Sequence, residues 1–289
     1  RQKAWLARGI IEFKAQQFPQ ALQSWLTSEA LLRRFPATTD TLDSYINLQN
    51  LKAGANFRLG QNQKAKAGYE EILPFYREKG LPLQISHTLS NLGNISFATE
   101  DYSGAAKAYT QAIAMAEAHD PPLTVAIAAS SMNLSYVLRG FGDYEGALHY
   151  AQKTEAAYQA LNSPNADKVK MLMALIYADR GDFQQAIDLH KYYYRRVLGT
   201  RGPNSLEAKN ILGNLALFYY NVQAYDEAET YARQVIDIIQ QYPGLPPQYQ
   251  FIDYVVLGSI LVKLDRETEA TPYFERAEEL LEGVQSNKD

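Results

Sequence analysis

Four histidines, His87, His119, His149 and His190, are where metal or acid–base chemistry would be sought first, and their spacing offers neither. None has a second His four residues on, the arrangement that puts two imidazoles on one helix face around zinc. The chain has no Cys, which removes disulfides, thiolate nucleophiles and Cys-based zinc sites together and leaves the redox compartment open. Gly140, Gly142 and Gly146 miss the spacing of a dinucleotide fingerprint, and no Gly-rich loop ends in Lys-Ser or Lys-Thr. Carboxylates are scattered, with no pair that reads as acid and base. The expectation is a non-catalytic protein without a cofactor or metal. Asn94-Ile95-Ser96 and Asn133-Leu134-Ser135 match the glycosylation pattern but fall inside helical pattern, where that reading is set aside.

Composition narrows the classes further. A formal charge of −4 gives no basic footprint for phosphate, which argues against nucleic acid as the main partner. The apolar runs are a few residues long, against about 20 for a bilayer span, so no membrane insertion is expected. A soluble protein follows, with the cytoplasm favoured. The 21 Tyr supply side chains with an apolar body and a polar tip, suited to long, partly wet interfaces. The start at Arg1, without an initiator Met or signal peptide, is expected of a processed form or an excised piece of a longer protein.

What positions side chains here is a repeat. Glu100-Asp101-Tyr102-Ser103-Gly104-Ala105 returns as Gly142-Asp143-Tyr144-Glu145-Gly146-Ala147, Gly181-Asp182-Phe183-Gln184-Gln185-Ala186 and Ala224-Tyr225-Asp226-Glu227-Ala228. Anchored on the Ala after each turn, seven units appear at Ala21, Ala65, Ala105, Ala147, Ala186, Ala228 and Ala270, spaced by 44, 40, 42, 39, 42 and 42 residues. Twelve positions earlier stand Gly9, Ala53, Gly93, Ser135, Ala174, Ala216 and Gly258, all small, as a close helix crossing demands. Three before the anchor come Phe18, Asn62, Tyr102, Tyr144, Phe183, Tyr225 and Glu267, mostly aromatic. Four after it, one turn along the same face, come Trp25, Tyr69, Tyr109, Ala151, His190, Ala232 and Phe274. Each unit reads as helix, tight turn, helix, and no stretch reads as strand.

Small residue, aromatic, Ala, then aromatic at these offsets resembles the tetratricopeptide repeat over nearly the whole chain, with a period longer than the usual 34. Leu198-Gly199-Thr200-Arg201-Gly202-Pro203, Leu212-Gly213-Asn214-Leu215-Ala216-Leu217-Phe218-Tyr219 and Tyr225-Asp226-Glu227-Ala228-Glu229 resemble the repeat of kinesin light chains and of the many bacterial proteins that share it. The resemblance implies an all-α, right-handed superhelical α-solenoid of about seven helix-turn-helix repeats. The expected organisation is a single domain over 1–289, with units at about 4–34, 42–79, 83–117, 124–161, 166–198, 205–241 and 248–281.

Within that frame several local features carry expectations. Pro19 opens a second helix, and Thr38 to Thr41 cap the next. Lys52 stands where the pattern wants Leu, and Pro74 predicts a kink or an early end. Tyr273, Phe274, Ala277, Leu280 and Leu281 are expected to end the array uncovered, with a homodimer through uncapped ends as the alternative to a severed array.

In such repeats the first helices line a concave wall that holds peptides, through side chains two before, one after and four after the small slot. The resemblance places there Asn91, Asn94 and Phe97 of the third unit, Asn133, Tyr136 and Arg139 of the fourth, and Asn214, Leu217 and Tyr220 of the sixth. An Asn amide donates to and accepts from one peptide group at once, so a column of them holds an extended chain without reading its sequence. The partner expected is a protein or peptide, bound by a scaffold or by a peptide-responsive sensor. An Asn in a first helix also serves stacking, by bonding to a neighbouring helix. His87 is placed at the groove edge. Tyr192-Tyr193-Tyr194-Arg195-Arg196 is expected to pack through Tyr193, with its Arg residues in water.

Overall fold

The computed structural model describes residues 1–36 and 38–285; Ala37 and the last four residues of the expected 1–289 domain lie outside them. Helices and turns account for the regular structure among the described residues, with no strand. Fourteen α-helices follow in pairs: α1 (Gln2–Lys14) with α2 (Phe18–Leu32), α3 (Thr39–Arg58) with α4 (Asn62–Glu78), α5 (Pro82–Ala98) with α6 (Tyr102–Glu117), and α7 (Thr124–Gly140) with α8 (Tyr144–Ala160). Then come α9 (Asn165–Arg180) with α10 (Phe183–Arg201), α11 (Leu206–Asn221) with α12 (Tyr225–Gln240), and α13 (Phe251–Lys263) with α14 (Glu267–Gln285). These are the seven helix-turn-helix repeats.

One backbone device closes every pair. Five positions before each anchor Ala the chain turns left-handed, at Gln16, Gly60, Glu100, Gly142, Gly181, Gln223 and Asp265, with φ between 57° and 92°. The next residue's N–H then reaches back five residues, as in Asp101 N–H to the Ser96 carbonyl at 2.8 Å and Ala224 N–H to the Tyr219 carbonyl at 2.9 Å. That pair of features is the Schellman ending, which satisfies carbonyls a helix otherwise leaves open. Asp101 and Asp143 start the following helices by accepting from the N–H of Gly104 and Gly146, both at 2.9 Å.

Close crossing explains the small slot. A Cβ on Gly93 would lie 2.6 Å from Tyr109 Cε1, and one on Gly258 would lie 2.7 Å from Phe274 Cε1, both inside contact distance. The anchor residues Ala21, Ala65, Ala105, Ala147, Ala186 and Ala228 are fully buried and Ala270 nearly so.

The chain falls into two compact units, Arg1–Ser163 and Pro164–Asp289. In the first, each helix packs on the next from α1 to α8, and α5 also touches α7, so these two first helices stand side by side. Its apolar clusters gather around Trp25 and Leu48, around Tyr69, Ile72 and Leu89, and around Tyr109 and Leu134. In the second, α9 to α14 pack in the same succession, α11 touches α13, and the core centres on Ile187, Ile211 and Leu215 and on Val235, Leu257 and Ile260.

Several local expectations meet the structure directly. Thr38 caps α3 in a reciprocal box with Thr41. Helix α4 does not stop at Pro74; it continues to Glu78, because Ile72, Leu73 and Tyr76 bury its face and hold the turn that the missing N–H weakens. Lys52 is accommodated by an ion pair, its Nζ 2.6 Å from Glu29 Oε2. Tyr193 is buried and donates to the Glu207 carboxylate, while Arg195 and Arg196 are exposed and Arg196 Nε reaches Asp167 at 3.0 Å. The last helix is less bare than expected: Ala277 and Leu280 are buried, because α14 packs on α13 and on a 3-10 turn at Pro247–Tyr249, leaving Phe274 and Leu281 partly exposed.

Candidate functional site

Helix pairing in the Arg1–Ser163 unit sets α5 beside α7, and this brings two of the three expected residue sets together. Asn94 is half-buried on α5, and its Oδ1 accepts twice: from Tyr109 Oη at 2.7 Å and from Asn133 Nδ2 at 3.0 Å. Both donors come from other helices, α6 and α7. Burial pushes the Tyr109 hydroxyl up to about 12, with the Asn133 amide pulling the other way, so it stays a neutral donor at ordinary pH.

This arrangement leaves a complementary pair. Asn94 Nδ2 and Asn133 Oδ1 have no hydrogen-bond partner among the described residues, one a donor and the other an acceptor. They line a pocket of about 470 Å³ with Phe57, Phe97, Tyr109 and Tyr136. Phe97 and Tyr136, 45% and 41% exposed, also line an adjoining hollow of about 290 Å³ with Tyr102 and Phe141. Three of these rings form a chain of edge contacts, Phe97 to Tyr102 at 5.4 Å and Tyr102 to Phe141 at 6.4 Å. No charged side chain lines either space. Chemically, the site offers one donor, one acceptor and aromatic walls, which suits a peptide group flanked by an apolar side chain.

The other expected residues are placed differently. Asn91 is half-buried on α5 outside the pocket lining, and Arg139 is half-buried one turn beyond Tyr136, also outside it. His87 is exposed on α5. In the second unit Asn214 is half-buried, with Nδ2 3.1 Å from His190 Nε2, so its amide is already engaged between α11 and α10. Leu217 is exposed and Tyr220 lies edge-on to Tyr225 at 5.6 Å.

Two lining residues were not among the expected set. Phe57 stands four after Ala53, the offset that selected Phe97, so extending that offset to the second unit would have found it. Tyr109 stands four after its anchor and belongs to the packing pattern; its hydroxyl, at the end of a buried ring, reaches the pocket.

Among the described residues, no group of His, Cys, Asp or Glu is placed to hold a metal ion, and no helix is long and apolar enough to cross a membrane. Models of the tetratricopeptide repeat match residues 86–119, 210–242 and 254–280. No curated protein matches by sequence. Among solved structures, the chain is similar to PH0952 of Pyrococcus horikoshii, a signal transduction ATPase with numerous domains and a tetratricopeptide repeat sensor, at 15% identity and a TM-score of 0.78, covering 99% of this chain and 43% of that one. The chain is similar as well to the quorum sensor NprR of B. thuringiensis at 12% identity and a TM-score of 0.66, over 96% and 75% of the two chains. It is also similar to the nearly identical repeats of a Podospora anserina putative kinesin light chain, at 17% identity and a TM-score of 0.59, over 70% and 98%. At these identities the likeness is one of fold. The three matched stretches are tetratricopeptide repeats, and the other helix pairs among the described residues share their Schellman turn and their buried anchor Ala.

Proposed function

We propose that the chain is a non-catalytic protein-interaction scaffold that holds an extended protein segment against its first helices. The observation that carries this reading is the Asn94–Asn133 pair, which leaves one donor and one acceptor over a pocket walled by Phe57, Phe97 and Tyr136. A backbone peptide group satisfies both at once. Each hydrogen bond contributes about 0.5–1.5 kcal/mol net, and with an aromatic-walled side chain the sum supports roughly micromolar binding, about −8 kcal/mol. Asn91 and Arg139 are proposed as flanking contacts, and Asn214, Leu217 and Tyr220 as a further contact in the second unit.

The test is selection from a random-peptide display library, followed by fluorescence polarisation with the selected peptides. The double variants Asn94→Ala/Asn133→Ala and Phe97→Ala/Tyr136→Ala should each weaken binding by tenfold or more. Wild-type affinity in both would sink the assignment. A second reading, a peptide-responsive sensor that controls an effector, is favoured by the fold likeness to PH0952 and NprR, whose descriptions name sensors. It predicts that a selected peptide changes the radius of gyration in small-angle scattering, whereas a scaffold keeps its dimensions.

A further inference from the structure

Helix α3 breaks the repeat's own rule on the face it turns toward α2 and α4. One position before the small slot, the third, fourth, sixth and seventh units carry Leu92, Leu134, Leu215 and Leu257 and the fifth carries Met173; the second carries Lys52, and the first carries Arg8. Three positions after the slot the residue varies, with Leu138 and Leu261 in the fourth and seventh units, Tyr177 and Tyr219 in the fifth and sixth, and Glu12 and Ser96 in the first and third; the second carries Asn56. Gln49 stands one turn before Lys52. All three are deeply placed, Gln49 being 7% exposed, Asn56 9%, and the Lys52 side chain 16%. A buried polar stripe is destabilising unless its groups are partnered, and a helix that keeps Lys52 where four other units carry Leu, beside a buried Asn56, points to a use for it.

The fold supplies only part of the partnering. Lys52 Nζ donates to Glu29 Oε2, and Glu29 is also held by Arg33 at 2.7 Å, so that carboxylate already faces two cations. Two further N–H groups remain on Lys52. Asn56 Oδ1 is buried and accepts no hydrogen bond.

This stripe floors a cleft of about 370 Å³ between α2 and α4. The cleft exists because α4 presents Ala67 and Gly68 there, with no bulk to fill it. Leu22 and Leu26 of α2 make an apolar wall, and Lys64 and Glu71 of α4 stand among the lining groups. Lys64 has no ion-pair partner among the described residues. The volume lies within the range of small-molecule sites, which start at about 300 Å³. What the lining asks for is one molecule with an anionic group for the two lysines, an N–H donor for Asn56 Oδ1, and an apolar body for the leucines. An α-amino acid carries all three on one carbon skeleton.

We propose that this cleft binds a free α-amino acid with an apolar side chain, its carboxylate held by Lys52 and Lys64, its ammonium by Asn56 Oδ1 and the Glu71 carboxylate, and its side chain against Leu22 and Leu26. The site is separate from the Asn94–Asn133 pocket and stands whether or not that pocket binds peptide.

Isothermal titration of the full chain with L-leucine, L-valine, L-methionine and L-phenylalanine tests it directly. At least one should bind saturably at one site. Isoamylamine, which lacks the carboxylate of leucine, and 4-methylpentanoate, which lacks its amine, should each bind at least about tenfold more weakly, since either leaves a buried polar group unpaired. Asn56→Leu restores the residue type of the fourth and seventh units, so it should abolish binding while leaving the melting temperature equal or higher. Lys64→Ala alters only an exposed side chain and should weaken binding severalfold; it decides the matter should the core variant fail to fold. No binding by any of the four amino acids would mean that water alone fills the cleft, and would overturn the proposal. So would an analogue that binds as well as its parent amino acid, wild-type affinity in a folded Asn56→Leu, or wild-type affinity in Lys64→Ala.

Discussion

Gly93 and Tyr109 show how a sequence offset becomes packing at the scale of single residues. Where the position four after the anchor is a large ring, as at Trp25, Tyr109 and Phe274, the facing slot is glycine; where it shrinks to Ala151 or Ala232, the slot is Ser135 or Ala216. Tyr69 and His190 depart from this, facing Ala53 and Ala174. His190 is the departure with a chemical consequence. It is fully buried, edge-on to Phe218 at 4.9 Å, and bonded to Asn214. Burial lowers its pKa from 6.5 to about 4. Because the folded value is the lower one, the unfolded chain takes up the proton first as pH falls. The stability that the neutral ring contributes is therefore complete above about pH 6.5 and is lost on the way down to pH 4, by roughly 3 kcal/mol. Urea unfolding at pH 7 and pH 4.5 should show a larger acid loss in wild type than in His190→Gln, which keeps a polar partner for Asn214 and cannot titrate. Equal losses would show that the ring is accessible to protons in the fold.

At the scale of the element, the helix pairs were legible because small slot, anchor and ring recur at fixed offsets, and those offsets are helix geometry. The turns were legible only in part. Gly60, Gly142 and Gly181 mark the left-handed position, but Gln16, Glu100, Gln223 and Asp265 take the same conformation, and the sequence there shows no glycine to announce it. What holds those four left-handed is the pair of backbone hydrogen bonds that the two flanking helices bring within reach, as Glu100 N–H to the Phe97 carbonyl and Asp101 N–H to the Ser96 carbonyl. Similarly, Asn94 and Asn133 could be placed on one wall from their offsets. Their shared acceptor could not, since it needs the actual spacing of α5 and α7. The early end offered at Pro74 fails for the same reason, since burial of the helix face carries α4 on to Glu78. The left-handed position gives a clean measurement. No atom lies within 4 Å of a Cβ built on Gly142, so Gly142→Ala adds no steric clash and changes only backbone preference. It should cost about 1 kcal/mol, read as a lower urea midpoint with an unchanged slope; no shift would mean that the turn relaxes out of the left-handed region.

For the whole molecule, the apolar clusters matter more than the length of the chain. Each draws on helices that are near neighbours in sequence, as Trp25, Leu48 and Ala55 do at the start and Val235, Leu257 and Ala270 do toward the end. Stability in such an array is close to a sum of terms within repeats and between adjacent ones, and its contacts are local enough to form without long loop closure. The units Arg1–Ser163 and Pro164–Asp289 each contain complete helix pairs with their own clusters. Residues 1–163 and 164–289, produced separately, should therefore each keep a helical circular dichroism spectrum and a cooperative urea transition. The first piece makes the sharper case, because both the Asn94–Asn133 pocket and the cleft floored by Lys52 and Asn56 lie wholly within it. It should bind the selected peptides and the amino acid with the affinities of the full chain. A first piece that is helical yet binds neither would show that local packing forms the repeats but does not by itself set the side chains of the sites. A piece that loses its helicity would show that stability in this chain is not local at the scale of four helix pairs.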